Sequence, residues 1–92
     1  MTHRAARIIV KGMVQEVGFR YYCLKRAQLA SVVGWVRNNS DGSVEIWAEG
    51  DSDQLDQFIA EMRLGPRAAR VDAVDLLYGE PTGQFRTFEI TN

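Results

Sequence analysis

The chain has 92 residues, of which 46% are hydrophobic and 25% are charged, and this predicts one globular domain, residues 1–92, with a single small core. The formal net charge is −1, from 11 Lys and Arg against 12 Asp and Glu. General binders of nucleic acids or acidic membranes depend on clustered excess Lys and Arg, so we expect neither kind of partner.

Several other classes of protein are also disfavoured. No apolar run reaches the roughly 20 residues of a membrane span, and the N-terminal residues lack the apolar core of a secretion signal, so we expect a cytoplasmic protein. Cys23 is the only cysteine and His3 the only histidine. A single cysteine cannot form a disulfide within the chain. One cysteine, and one histidine that lies in the N-terminal tail, also argue against a metal site and a His-based catalytic dyad, so no cofactor is expected.

The first two elements are predicted to be a strand and a helix. Residues 7–14 form an apolar, unevenly alternating run typical of a central strand. A helix follows from residue 17 or 18 to residue 30, and Cys23 is interpreted as a core residue of this helix rather than a nucleophile. The buried stripe of the helix is predicted to contain Phe19, Tyr22, Cys23, Ala27 and Ala30.

A β-hairpin is predicted next. Residues 35–39 and 43–49 are strand-like, and the turn between them contains Asp-Gly, a strong hairpin signal because glycine readily adopts positive φ. We expect Trp47 to lie among polar neighbours on the face opposite the core. The core face of the second of these strands is predicted to carry Val44, Ile46 and Ala48.

The second helix has the clearest periodicity in the chain. Asp51 is predicted as its N-cap, with Gln54 in the capping-box position, and Gly65-Pro66 ends it. Its apolar stripe is Leu55, Phe58, Ile59 and Met62.

The chain is predicted to end in two strands. Residues 69–78 form the fourth strand, and the three-residue step from Val71 to Val74 indicates a bulge. A turn at residues 80–84 leads to a short closing strand at residues 85–91. One face of this closing strand carries Phe88 and Ile90.

This order of elements predicts an α+β fold. Strand, helix, strand, strand, helix and strand make a ferredoxin-like βαββαβ sandwich, with two helices on one face of a mainly antiparallel sheet and a short extra C-terminal strand. Many unrelated functions occur on this fold, so the function has to be inferred from a site.

The best candidate for a site is the junction of the first strand and the first helix, residues 12–20. The first N–H groups of a helix have no intrahelical partner and carry partial positive charge, so a glycine-containing loop there can bind an oxyanion. Arg20 would add a permanent charge and a planar fork of donors. The spacing matches neither of the common phosphate-loop motifs, and on spacing alone a plain structural turn with a solvated arginine is the better explanation.

Two motifs distinguish these readings. The pattern G-x-V-Q-x-V-G-F-R at residues 12–20 resembles the first signature of the acylphosphatase family, and GWVRNNSDGSVE at residues 34–45 resembles the second. The resemblance extends from about residue 6 to residue 90. It implies an enzyme that hydrolyses the carboxyl-phosphate bond of small acyl phosphates, without cofactor or metal, and the small size favours a monomer.

The resemblance also implies which residues act. Arg20 would bind the phosphoryl group, and Asn38, on the second strand, would orient the attacking water. Strand alternation directs the neighbouring Arg37 to the opposite face, and Asp41 is interpreted as a turn residue. The small cradle predicts little selectivity for the acyl group. The residues implied in substrate binding are Gln15, Glu16, Val17, Gly18, Phe19 and Arg20.

One position departs from the family pattern. The family usually has glycine where this chain has Glu16, and a non-glycine residue at positive φ would cost roughly 1–2 kcal/mol. We therefore expect an active enzyme with weakened phosphate binding and with Glu16 turned to solvent.

Two alternatives remain on the same fold. One is a non-catalytic module that binds phosphate or carbamoyl phosphate, as in larger hydrogenase-maturation proteins. The other is an RNA-recognition domain, which is disfavoured because it needs several aromatic residues on the central strands and a basic face, and Trp47 alone does not supply them.

Overall fold

A computed structural model describes residues 2–92, so residue 1 lies outside the described part of the chain. The order and type of the elements agree with the prediction. They are β1 (His3–Met13), α1 (Phe19–Ala30), β2 (Val33–Asn38), β3 (Val44–Asp51), α2 (Ser52–Leu64), β4 (Arg70–Gly79) and β5 (Phe88–Ile90).

The strands form one sheet in the order β4-β1-β3-β2-β5. Strand β1 pairs antiparallel with both β3 and β4, β2 pairs antiparallel with β3, and β5 lies parallel to β2 at the edge. The central position of the first strand and the ferredoxin-like arrangement, with two helices on one face, are therefore confirmed.

The core lies between the helices and the side of the sheet that they cover. The predicted stripe of α2 is fully buried, whereas in α1 only Phe19, Cys23 and Ala27 are, and Tyr22 and Ala30 remain partly exposed. The central strands contribute their alternate residues to the same core. These are Ala6, Ile8 and Val10 of β1 and Val44, Ile46 and Ala48 of β3.

The bulge predicted in the fourth strand is present. Lys11 pairs with Ala73 while the next residue, Gly12, pairs with Val71, so Asp72 is the extra residue of β4. A Cβ at Gly12 would collide with the backbone of β4, and its φ of 131° is also one that other residues rarely adopt. Glycine is therefore required here by close approach as well as by conformation.

The start of α2 differs from the prediction in its chemistry. Asp51 is the N-cap, but its side chain makes no capping hydrogen bond, so the predicted capping box with Gln54 is wrong. The strand β3 runs directly into the helix, and the Ser52 N–H donates instead to the Thr2 carbonyl oxygen at 2.8 Å. Gly65 ends the helix as predicted, with its N–H donating to the Glu61 carbonyl at 2.9 Å.

The face of the sheet without helices, which we call the open face, carries two buried carboxylates. Glu45 lies 2.7 Å from the Arg7 guanidinium and 2.9 Å from that of Arg37. Burial alone would raise the pKa of Glu45, but the hydrogen bond and charge of Arg37 and the charge of Arg7 outweigh it and lower the pKa. The open face thus contains ion pairs that the alternating pattern did not indicate.

Glu49 fastens the loop between β4 and β5 to this face. Its carboxylate accepts hydrogen bonds from the indole N–H of Trp47 at 2.6 Å, the Thr82 N–H at 3.0 Å, the Thr82 hydroxyl at 2.7 Å and the Gly83 N–H at 3.1 Å. Burial would raise the pKa of Glu49, but these donors outweigh it and lower the pKa below its usual value. The loop before β5 is therefore held by one ionised side chain.

The substitution Glu49→Gln should destabilise the protein at pH 7 by about 2–3 kcal/mol, because an amide nitrogen would face donors that now contact a carboxylate oxygen. The lowered pKa gives stability that is present above the unfolded-state pKa of about 4.3 and is lost as the pH falls through the folded-state value. The difference between variant and parent should therefore shrink between pH 5 and pH 3, a range around that pKa. Urea unfolding at several pH values measures it.

The matched control is Glu89→Gln, since Glu89 lies exposed on β5. It should change the free energy of unfolding by less than about 0.5 kcal/mol at every pH. Equal effects of the two substitutions at pH 7 would contradict the role assigned to Glu49.

Candidate active site

The loop that joins β1 to α1 curls through two residues with left-handed backbone conformation. Gly18, the N-cap of α1, has φ 79°, and Glu16 has φ 62°. A Cβ at Gly18 would meet no atom within 4 Å, so glycine is favoured there by conformation and not by lack of space. Left-handed residues in a short loop turn successive N–H groups toward one side, as in anion-binding nests.

The N–H groups of this loop and of the first helical turn have no acceptors of their own. Within residues 2–92, no N–H group of residues 15–21 donates a hydrogen bond to another atom of the chain. The first N–H that does so is that of Tyr22, which donates to the Gly18 carbonyl at 3.0 Å. No side chain caps α1 and its first turn holds no acidic residue, so its positive end is open to an anion.

Arg20 lies in the first turn of α1, partly buried beside this loop. Arg7, Arg26, Arg37 and Arg70 each lie within 4.0 Å of a carboxylate, but among the described residues Arg20 has no such partner. Its guanidinium is therefore available to a ligand.

Asn38 is the last residue of β2, where its backbone pairs with Val44. Its side chain lies on the helix side of the sheet, as does that of buried Val36, and in the described part of the chain it makes no hydrogen bond. The neighbouring Asn39 is used differently, because its amide donates to the Ser43 hydroxyl at 3.0 Å. Of the two adjacent asparagines, Asn38 is the one with a free amide.

These groups surround one pocket of about 230 Å³. The pocket contains both residues predicted to be catalytic, Arg20 and Asn38, and four of the six residues predicted to bind substrate, with Arg20 belonging to both groups. Glu16, an exposed residue, is the only carboxylate on its wall. The lining residues are Val14, Glu16, Gly18, Phe19, Arg20, Tyr21, Asn38 and Ile90.

Two residues predicted to bind substrate do not line the pocket. Gln15 and Val17 lie in the loop, and the Gln15 side-chain amide donates to the carbonyl oxygens of Asn39 at 2.7 Å and Ser43 at 2.9 Å. These bonds tie the loop to the β2–β3 hairpin, so the Gln15 side chain fixes the loop relative to Asn38.

Tyr21 and Ile90 are two lining residues that the sequence pattern did not indicate as site residues. Tyr21 follows Arg20 on the exposed side of α1, and Ile90 lies on β5 at a position paired with Val36. The position of Tyr21 next to Arg20 could have indicated from the sequence that Tyr21 lines the site. The position of Ile90 depends on the parallel pairing of β5 with β2, which no local pattern reveals.

Other residues considered from the sequence lie away from the pocket wall. Arg37 points to the open face, as predicted, and Asp41 is a turn residue that accepts hydrogen bonds from the Ser43 N–H at 2.9 Å and the Ser43 hydroxyl at 2.6 Å. Burial strongly raises the pKa of Cys23, so its thiol is a core group and not a nucleophile.

Residues 2–92 contain neither a metal-binding cluster nor a membrane-crossing helix. No cluster of three or more His, Cys, Asp or Glu residues in this range is arranged to hold a metal ion. None of its helices combines the length and the apolar character needed to cross a membrane.

Sequence comparison finds relatives of the same length. The family model "Acylphosphatase" matches residues 6–90. The acylphosphatase of Chlorobaculum tepidum is 41% identical over 90 residues, which cover 98% of each chain. That of Salinibacter ruber is 42% identical over 89 residues, or 97% of this chain and 94% of its own.

Structure comparison agrees. The crystal structure of acylphosphatase from Bacillus subtilis has a TM-score of 0.93 and 35% identity, and the match covers 97% of this chain and 99% of that one. Full-length HypF, in a phosphate- and nucleotide-bound form, has a TM-score of 0.90 and 29% identity, covering 99% of this chain but 12% of HypF. The chain therefore belongs to the acylphosphatase family, whose members are enzymes that hydrolyse acyl phosphates.

Proposed function

We propose that this chain hydrolyses the carboxyl-phosphate bond of small acyl phosphates, releasing a carboxylate and inorganic phosphate, in the pocket between α1 and β2. One observation carries the proposal. Within residues 2–92, N–H groups without acceptors and an arginine without a carboxylate partner lie in the same region as the free amide of Asn38. Groups that can bind an anion and a group that can orient a water molecule are thus neighbours.

The phosphoryl group would bind to the N–H groups of residues 15–21 and to Arg20. Donors that are already fixed in direction stabilise charge on the phosphoryl oxygens without reorganisation during the reaction. A guanidinium can contact two phosphate oxygens at once, which fixes orientation as well as charge.

The attacking water would be oriented by Asn38. An amide cannot accept a proton as a base, so its contribution is positioning through hydrogen bonds, and a phosphate oxygen of the substrate would take the proton. Phosphoryl transfer passes through a loose transition state, and the carboxylate leaves as an anion that needs no proton donor. The reaction therefore requires neither a histidine nor a protein nucleophile.

Small acyl phosphates are the proposed partners. Nucleic acid is not a proposed partner, and the open face supports this. Trp35 and Trp47 lie opposite each other on adjacent strands there, an aromatic pair that the sequence pattern did not indicate. However, the nearby Arg7 and Arg37 are paired with Glu45, so a phosphate backbone would have to displace a buried carboxylate. The pocket is formed within one chain, which supports action as a monomer.

One alternative is a phosphate- or carbamoyl-phosphate-binding module without catalysis, and the likeness to HypF, whose structure contains bound phosphate, favours phosphate binding in such a module. That likeness concerns 12% of HypF, whereas the acylphosphatases of Chlorobaculum tepidum and Salinibacter ruber match over nearly their whole lengths. The two functions differ in one measurable property, which is turnover.

Arg20→Ala and Asn38→Ala should each lower kcat/KM for benzoyl phosphate by about 10²-fold or more, because each removes a group proposed to bind or orient the reacting atoms. Arg20→Ala should also weaken competitive inhibition by inorganic phosphate. Asn38→Ala should leave phosphate inhibition within about threefold of the parent value, since Asn38 is proposed to act on the water and not on the phosphate.

Matched controls exist for both substitutions. Asn39→Ala removes the neighbouring amide, which belongs to the hairpin, and Arg86→Ala removes an exposed arginine just before β5, whereas the pocket lies at the other end of that strand. Both controls should keep more than about half of the parent activity. Near-parental activity of folded Arg20→Ala or Asn38→Ala would refute the proposed roles, and phosphate binding without turnover by the parent would favour the binding module.

Glu16→Gly should lower the KM for benzoyl phosphate or the phosphate inhibition constant by about fivefold. A carboxylate about 4 Å from a phosphate costs about 1 kcal/mol in water, and glycine removes that charge together with the Cβ at φ 62°. Steady-state kinetics with phosphate as inhibitor measures both constants.

Glu16→Gln separates the two effects, because it removes the charge but keeps the Cβ. It should improve binding nearly as much as glycine, whereas only glycine should relieve the roughly 1 kcal/mol of backbone strain, seen in the free energy of unfolding. Unchanged KM and unchanged phosphate inhibition in both variants would show that Glu16 does not weaken the site.

A further inference from the structure

Two of the residues that line the pocket have large, mainly apolar side chains that are exposed. Tyr21 is 62% exposed and Ile90 is 41% exposed, and both line the pocket that contains Arg20 and Asn38. Within residues 2–92, the Tyr21 hydroxyl makes no hydrogen bond, so polar contacts do not account for its position.

Their positions follow from the way the chain is built around the pocket. Tyr21 is adjacent to Arg20 in the first turn of α1, so a ligand held by Arg20 would extend past it. Ile90 lies on the same side of β5 as Phe88, and Phe88 is buried, packing against Phe58 of α2 at a ring-centre distance of 5.8 Å. Ile90 lies farther along the strand, beyond the cover of the helices, and lines the pocket instead.

We infer that Tyr21 and Ile90 form the binding surface for the acyl group, and that the enzyme prefers acyl phosphates with apolar acyl chains over acetyl phosphate. The inference rests on the proposed function, because the phosphoryl group must occupy the polar half of the pocket. It differs from the expectation that a small phosphate cradle has little selectivity for the acyl group.

The size of the pocket limits the substrate class. About 230 Å³ is less than the roughly 300–1,000 Å³ of pockets that enclose drug-sized ligands. A phosphoryl group with a short aliphatic or single-ring acyl group suits this volume.

The test is the dependence of kcat/KM on acyl chain length in the series acetyl, propionyl and butyryl phosphate. The leaving carboxylates of this series have similar basicity, so differences in kcat/KM report on binding of the chain. A fully buried methylene group would raise kcat/KM about fourfold, so on a partly exposed surface we expect a rise of about two- to threefold per methylene in the parent.

In the double variant Tyr21→Ala/Ile90→Ala, the ratio of kcat/KM for butyryl to acetyl phosphate should fall toward one. Tyr21→Phe should keep the parental ratio, because the ring and not the hydroxyl provides the surface. The control Leu29→Ala truncates another exposed residue of α1, outside this pocket, and should also keep the ratio. Thermal unfolding of each variant verifies folding before the kinetics.

Two results would overturn the inference while leaving the proposed function intact. They are equal kcat/KM for all three substrates in the parent, and a parental ratio retained by the folded double variant. Absence of hydrolysis of all three substrates by the parent would instead overturn the proposed function, and the inference with it.

Discussion

In the part of the chain that the structure describes, the N–H groups of the first turn of α1 have no acceptor, and the rest of the site depends on this unsatisfied helix start. Most helices have a side chain that caps this position, but here Gly18 occupies it and the first turn lacks acidic residues. The backbone amides and the helix dipole therefore remain available to an external anion. The Gln15 side chain then holds the loop against the β2–β3 hairpin, which fixes the distance between the amides and Asn38.

The two faces of the sheet have different roles. The helix side combines the core with the pocket, so Asn38 and Ile90 reach the site as extensions of the rows that contain buried Val36 and Phe88. On the open face, Glu45 forms ion pairs with Arg7 and Arg37, and Glu49 accepts hydrogen bonds from the loop before β5. Arg37 is therefore ion-paired with Glu45 on the open face, whereas Arg20, on the helix side, has no carboxylate partner among the described residues.

The sequence predicts the features that local chemistry determines. Periodicity predicted the elements, the three-residue step from Val71 to Val74 predicted a bulge in β4, which lies at Asp72, and strand alternation separated Asn38 from Arg37. Features that depend on distant partners were missed. Glu49 is buried by a loop 33 residues away, β1 begins at His3 because it pairs with Asp51, and Tyr21 and Ile90 become neighbours only through the parallel pairing of β5. The acceptor of the Ser52 N–H was missed for the same reason, since it is the carbonyl oxygen of Thr2.

An NMR titration of the ¹⁵N-labelled protein with inorganic phosphate would show whether the free N–H groups of residues 15–21 bind phosphate. If they do, the largest amide shifts fall in residues 15–21, saturate at one binding constant, and are strongly reduced in Arg20→Ala. Shifts of exposed amides elsewhere, for example near Arg86, should be small. A saturating response centred outside the loop, or loop amides that stay unchanged while phosphate inhibits the enzyme, would show that these N–H groups do not bind phosphate.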